Sequence, residues 1–271
     1  MINTNQKERD RNAAKDYRAK LILELALFRE MQDLFRQYSK EFEKTYASTS
    51  SLPHPEILKE DTQNLLLNHY NRVSDKFTTR LVDEIGIPAN HEFVLKSMRN
   101  KIEIHNQLRS VDSASIISDT THKDSMQAIT DTINEFRIKE GFDKTIEPKR
   151  IARDAKLKLD RRLRSRTNTI SITETQNPAE HTKQEEINSL HNNESEVDGE
   201  KIHEQIKQKQ WNAVLDNVTR EAHAESDGQI VNFDEPYLVG GQNLMYPGDM
   251  SLGATIDNTI NCRCTSIVII R

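Results

Sequence analysis

Apolar residues recur at three- and four-residue steps through the first half of the chain, and this period predicts long amphipathic helices. Leu21, Leu25, Phe28, Met31, Phe35, Tyr38, Phe42 and Tyr46 form one stripe. "ASTSSLPHP" then interrupts it, Pro53 and Pro55 closing one helix and opening the next. Ile57, Leu58, Leu65, Leu66, Tyr70, Val73, Phe77 and Leu81 form the matching stripe, so the two segments predict an αα-hairpin packed through leucine and aromatic faces. "EIGIPANHE" is the next break. Two further helical patterns follow, from about His91 to Leu108 (Phe93, Val94, Met98, Ile102) and from about Lys123 to Lys139 (Met126, Ile129, Ile133, Phe136), with Gly141 ending the second. Such stripes are read as internal core, the alternative being a docking groove for a partner helix.

Past residue 147 the polar pattern changes character. "EPKRIARDAKLKLDRRLRSR" predicts a helix with Pro148 in its first turn and an apolar side of Ile151, Ala155, Leu159 and Leu163. Residues 184–208 are acidic and polar, too poor in apolar surface to fold alone, and read as a loop or mobile insertion. After Trp211 glycines and prolines crowd in, and "QIVNF", "PYLVG" and "TSIVII" read as short strands. The expected architecture is a mainly α N-terminal region, a helical hairpin or bundle over 1–147, followed by a small α+β domain over 148–271.

Composition narrows the functional classes. A formal net charge of −5 gives no global attraction to nucleic acid or anionic membrane. No apolar run approaches the ~20 residues that span a bilayer. The polar start "MINTNQKERDRNAAKDYRAK" lacks the apolar segment of a secretory signal. Synthesis in the cytoplasm and no membrane partner are the expectations. One local field stands against the acidic whole: Lys149, Arg150, Arg153, Lys156, Lys158, Arg161, Arg162, Arg164 and Arg166 crowd one helix. Such a helix can touch phosphates without reading bases, and Lys149, Arg150, Arg153, Arg161, Arg162 and Arg164 are the candidate DNA contacts. A solvated helix face is the competing reading.

Both cysteines sit in "INCRC", and four chemistries compete for them. A disulfide between Cys262 and Cys264 would be strained at two-residue separation and would not persist in a reducing compartment. A zinc site could use His223, Cys262 and Cys264, with Asp216, Asp227 or His203 as a fourth ligand, since thiolate and imidazole suit Zn²⁺. A hydrolase or nuclease could use His223 with Asp227 or Cys262, although no nucleophile signature surrounds them. Plain packing is the fourth reading: Asp227-Gly228 and Pro247-Gly248-Asp249 are turn formers, Arg220 and Arg263 could pair with Asp216 or Glu174, and free cysteines behave as small apolar residues.

The joint spacing is recognisable. Trp211, Asp216, Arg220, His223, Asp227, Gly228, Gln229 and Phe233, then Pro247, Gly248 and Asp249, then Asn261, Cys262, Arg263 and Cys264, resemble the phage Mu F-like minor head protein family, also called phage head morphogenesis proteins of the SPP1 type. "Ile-Thr-Glu-Thr" resembles that family's "Arg-Thr-Glu-Thr" and adds Thr173 and Glu174; Ile172 replaces the family arginine, and Met250 stands where a proline is common. The resemblance covers roughly 150–271, and the helices before it would then dock on portal or scaffold. It implies a non-enzymatic virion protein of the head interior or portal vertex, made in the host cytoplasm, partnered by portal protein, by scaffold or major capsid protein and by packaged DNA, acting in procapsid assembly and DNA packaging or ejection. It implies no cofactor with certainty, zinc being the one the residues allow. Some relatives carry a toxin domain after this one; with seven residues past Cys264, none is expected here.

Overall fold

The computed structural model describes residues 6–85, 92–192, 196–197, 200–201 and 206–270, with 92–98 and the described part of 191–201 traced as backbone only. Four long helices come first: α1 Gln6–Thr49, α2 Pro55–Ile85, α3 Glu92–Glu140 and α4 Pro148–Asn192. Their ends follow local chemistry. Ser50 takes φ 57° and its N–H donates to the Tyr46 carbonyl, a left-handed cap that closes α1. Pro55 opens α2, where its missing N–H costs nothing. Gly141, at φ 97°, donates to the Arg137 carbonyl and ends α3. Pro178 lies inside α4, where it withholds one donor from the helix ladder.

A small region of short antiparallel strands follows. β1 (Glu196–Val197) pairs with β2 (Glu200–Lys201). β3 (Ile206–Asn212) is the centre of a three-stranded sheet between β4 (Ile230–Asn232) and β7 (Thr265–Ile270), antiparallel to both. β5 (Tyr237–Val239) and β6 (Gln242–Leu244) form a separate hairpin, and two short helices, α5 (Glu221–Glu225) and α6 (Ile256–Thr259), complete the region. A mainly α chain followed by a small α+β region is what the sequence pattern leads one to expect.

Contacts group the chain into two compact units, and each takes a piece of every long helix. One comprises residues 26–68 and 107–171; Leu27, Met31, Phe42, Leu58, Leu66, Leu159 and Leu163 are buried in it. The other comprises residues 1–25, 69–106 and 172–271. There Leu81, Ile85, Ile102, Ile187 and Leu190 meet Ile206, Phe233, Val268 and Ile270 in one apolar cluster. The division that sequence places at 147/148 falls in the connection between α3 and α4; grouping by contact adds the segments 1–25 and 69–106 to the C-terminal residues.

Several expectations need correction. Leu21, Leu25 and Ile57, read as core, are exposed. On α1 the buried positions near them are Asp16, Lys20 and Glu24, because their charges have partners inside the fold. Met126 is also exposed. The two helices expected between 91 and 139 are one continuous α3. The overlooked middle buries Ser110, Ala114, Ser118 and Thr121, and Ser125 follows just past it; a count of large apolar residues misses these. The Ser110, Thr121 and Ser125 hydroxyls each donate to a carbonyl one turn back, so their burial leaves no orphan donor. The side chains of Phe93, Val94 and Met98 lie outside the described residues.

The loop expected over 184–208 is smaller than predicted. Residues 184–192 finish α4 and carry Ile187 and Leu190 into the core, while 206–208 open β3. β3 reads "IKQKQWN", and its polar letters hid it. Lys209 is nonetheless buried, its ammonium donating to the Met245 carbonyl at 2.7 Å and lying over the Phe233 and Tyr237 rings at 5.3 and 5.2 Å.

Two carboxyls, Glu186 buried and Glu84 partly buried, make stability depend on pH. Burial pushes the Glu186 carboxyl up to about 8, tempered by the Thr78 hydroxyl. Burial, reinforced by Asp16, lifts Glu84 to about 7. A carboxyl raised in the folded chain keeps its proton where the unfolded chain has released it. Its contribution is therefore present below about 4.5 and is lost as pH rises toward 8. Chemical denaturation should show the wild-type chain several-fold less stable at pH 8 than at pH 5. Glu186→Gln should remove a large part of that difference; parallel pH profiles for the two proteins would exclude the assignment.

Candidate functional site

The C-terminal residues singled out by spacing divide into those that build turns and those that meet in one cluster. Trp211, next to last in β3, is fully buried, and its backbone pairs with a later turn: Gly228 N–H donates to the Trp211 carbonyl and Trp211 N–H to the Gln229 carbonyl, both at 2.9 Å. Gly228 holds φ 77°, a conformation that needs glycine. Asp227 accepts the Ala213 N–H at 2.8 Å and fixes the same turn. Asp216 accepts from the Val218 N–H and the Thr219 hydroxyl, and these bonds, the Thr219 hydroxyl first, hold its carboxyl below the ordinary value. Asp249, buried, accepts the N–H groups of Met245 and Ser251 in an Asx turn, and Gly248 before it has φ 89°.

Side chains of α4 clasp these loops. Thr173 Oγ1 accepts the Asn261 N–H at 3.0 Å, and Asn261 sits at φ 58°. Gln176 donates to the carbonyls of Cys264 (2.7 Å) and Pro247 (3.3 Å), and Asn177 donates to the Gly248 carbonyl at 3.0 Å. Glu174 accepts the Tyr70 hydroxyl at 2.6 Å. The spacing of Thr173, Gln176 and Asn177 puts them on one side of the helix, facing the backbone of both motif loops. That placement is a physical reason for "TETQN" and the two distant loops to occur together.

Three side chains carry recognisable chemistry. His223 on α5, Cys262 and Cys264 are all buried, and their ligand atoms lie within 4.8 Å of one another. Nδ1 of His223 stands 3.6 Å from Cys262 Sγ and 3.4 Å from Cys264 Sγ. An extended chain turns residues i and i+2 to the same side, so "CRC" sends both sulfurs inward and Arg263 the other way, toward Glu24 at 3.6 Å. Nε2 of His223 faces the Asn258 side-chain oxygen at 2.9 Å and its carbonyl at 3.1 Å. Two acceptors there place the proton on Nε2 and turn the Nδ1 lone pair to the sulfurs. Asn258 is itself held by donating to the Val239 carbonyl at 2.8 Å. The Trp211 ring lies edge-on to the imidazole at 5.6 Å.

The cluster is electrostatically asymmetric. A hydrogen bond from the Cys264 thiol, with His223 adding to it against the effect of burial, holds the Cys262 thiol well below its usual range. The same bond and burial push Cys264 well above it. Burial depresses the imidazole, but the Cys262 contact outweighs it, and His223 is raised. Both cysteines are free thiols.

The expected ties elsewhere differ. Arg220 donates to the Ile260 carbonyl and Arg263 pairs with Glu24, rather than meeting Asp216 or Glu174. Among the described residues no fourth His, Cys, Asp or Glu joins the cluster, and His203 lies outside them. Asn258 and Gln176 were not foreseen, because no spacing rule marks a residue that only orients a histidine or reads a carbonyl.

The basic helix lies in the other unit, and its charges are largely paired. Arg150 meets Glu140 and covers the Phe136 ring at 4.2 Å, Arg153 meets Asp154, and Lys156 meets Asp160. Lys158 meets Glu135, while Arg162 and Arg166 share Asp124 and Arg162 also reaches Asp131. Lys149, Arg161 and Arg164 are exposed with no carboxylate partner among the described residues. The field is thus narrower than the sequence count implies.

The sequence of this region matches a known family. The chain belongs to the family described as Phage Mu protein F like protein, whose model matches residues 120–267. Among curated proteins, it is 40% identical over 65 residues to Minor head protein GP7 of Bacillus phage SPP1, covering 23% of this chain and 20% of that one. It is 34% identical over 62 residues to NAD(+)--arginine ADP-ribosyltransferase EFV of Enterococcus faecalis, covering 23% of this chain and 12% of that one. The matched segment thus spans a fifth or less of either relative. No solved structure matches the chain.

Proposed function

We propose that this protein is a phage minor head protein, acting in head morphogenesis. The carrying observation is the family match over 120–267, joined to the likeness to Minor head protein GP7. In this reading the protein sits at the portal vertex or head interior, contacts portal protein and scaffold or major capsid protein, and acts in procapsid assembly and in DNA packaging or ejection. In this reading the Mu F-like domain assembles rather than catalyses: Asp227 is bonded to the Ala213 N–H, and Asp216, Gly228 and Gly248 shape turns. No described helix is long and apolar enough to cross a membrane. Isolation of procapsids should recover the protein together with portal protein; its consistent absence from particles would reject the reading.

We assign contact with packaged DNA to the unpaired residues of the basic helix, Lys149 in its first turn and Arg161 and Arg164 further along. Lys149, Arg161 and Arg164 present charge that no carboxylate offsets, whereas Arg150, Arg153 and Arg162 are held in ion pairs. Binding of duplex DNA should fall steeply with salt. Neutralising Arg161 and Arg164 together should lower the logarithmic salt slope by about 2, roughly one per lost phosphate contact. Arg162→Gln should change it less. Equal effects from the paired and unpaired arginines would defeat this assignment.

A further inference from the structure

We propose that His223, Cys262 and Cys264 form a zinc site with three protein ligands and one position left for water. The geometry is the first reason. A tetrahedral zinc with bonds of about 2.3 Å to sulfur and 2.0–2.1 Å to nitrogen holds N and S about 3.5 Å apart. The His223 Nδ1 distances to the two sulfurs are 3.6 and 3.4 Å. A hydrogen-bonded imidazole–thiol pair needs one sulfur at this distance, and here two share the same nitrogen.

The surroundings are the second reason. A metal-bound histidine needs its far N–H held by an acceptor, which fixes both tautomer and ring plane. The Asn258 oxygen supplies that acceptor at 2.9 Å, and Asn258 is anchored in turn on the Val239 carbonyl. The nitrogen facing the sulfurs is therefore the unprotonated one, as a ligand must be. Charge also closes: loss of both thiol protons gives two thiolates that neutralise one Zn²⁺ inside a buried site, and two protons leave to solvent. Beside the cluster lies a cavity of about 20 Å³ lined by Asp216, Thr219, Arg220 and Asn261, among others. That is room for one water molecule, and polar groups are there to hold it.

The ion would join α5 to the segment entering β7, two pieces of chain whose cluster residues are 39 and 41 positions apart. Removing it should loosen the C-terminal region more than the long helices, since metal binding free energy is folding free energy when the site is absent from the unfolded chain.

The test is metal analysis and cobalt substitution on the full chain. Purified wild-type protein should carry one zinc per chain. Exchange into Co²⁺ should give a thiolate-to-cobalt charge-transfer band and the intense visible bands of a tetrahedral site. Cys262→Ser and Cys264→Ser should lose stoichiometric metal. Asn258→Ala keeps all three ligands and should weaken affinity about 10- to 100-fold, the usual effect of removing the group that orients a ligating histidine. If the cysteine variants do not fold, the cobalt spectrum of the wild type decides by itself. Failure of the wild-type chain to bind either metal at micromolar concentration overturns the proposal. So does a His223→Gln protein with undiminished affinity and an unchanged cobalt spectrum.

Discussion

Replacing Glu180 with alanine is expected to destabilise the protein by about 3–5 kcal/mol, the usual result when one member of a buried ion network is removed and its partners are left charged and dry. Glu180 accepts Lys20 at 2.6 Å, Lys183 at 3.1 Å and the Thr265 hydroxyl at 2.7 Å on one oxygen, and the Ser266 N–H at 2.9 Å on the other. Lys183 also binds Asp16 at 2.8 Å, and Asp16 accepts Arg80. Lys20 reaches the Cys264 carbonyl at 3.1 Å. Alanine at 180 strands two buried ammonium groups and frees the start of β7. Urea denaturation of Glu180→Ala should show this cost, and Glu180→Gln should recover part of it by keeping the hydrogen bonds. A loss under about 1 kcal/mol, the scale of an exposed pair, would mean that water reaches the network.

The pH dependence of this network has a definite sign. Burial pushes Glu180 and Asp16 upward, but Lys183, with Lys20 for Glu180 and Arg80 for Asp16, outweighs it, and both carboxyls end below their ordinary values of 4.5 and 3.8. A depressed carboxyl contributes stability that is present above its unfolded value and lost as pH falls through the folded one. Lys183 is raised despite burial, by Asp16 and Glu180, so its contribution is present below 10.5 and lost only in strong alkali. The network is therefore lost only as pH falls beneath the ordinary carboxylate values, opposite in direction to the loss expected from Glu186 and Glu84 toward pH 8.

Trp211→Ala is expected to cost about 3–5 kcal/mol as well, through a cavity that the surrounding structure fills only in part. The indole is fully buried, edge-on to Tyr237 at 5.3 Å and to His223 at 5.6 Å. Its N–H has no hydrogen-bond partner among the described residues, so Trp211→Phe removes volume and none of the described bonds. That variant should cost less than half as much. Circular dichroism must follow both variants, because Trp211 is the chain's single tryptophan. In the wild-type protein the same fact is useful: fluorescence reports on the unit that holds residue 211. Equal losses from Ala and Phe would show that shape, rather than volume, governs this position.

The helices were legible wherever their inner faces are large and apolar. Met31, Phe35, Tyr38 and Phe42 on α1, and Leu66, Tyr70, Val73 and Phe77 on α2, are buried as their period implies. The strands rich in β-branched residues, β4 and β7, were legible for the same reason. Reading failed where burial is polar. Asp16, Lys20 and Glu24 repeat every four residues, as a core stripe does, yet nothing in α1 alone shows that Glu180, Lys183 and Arg263 will meet them. Lys209 hid β3 likewise, since its partners Met245, Phe233 and Tyr237 are distant in sequence. Small hydroxyl residues hid the middle of α3.

The sequence by itself determined the succession of long helices and short strands, the turns at Gly228 and Gly248, and the family. These rest on local spacing and backbone preference. Only the tertiary structure decided which polar residues go inside, because a buried charge is tolerable only beside its partner and that partner lies far along the chain. It also decided what the cysteines face. The alternation of "CRC" puts both sulfurs on one side of the segment, but the proximity of His223, and the tautomer that Asn258 imposes on it, come from packing α5 against the entry to β7.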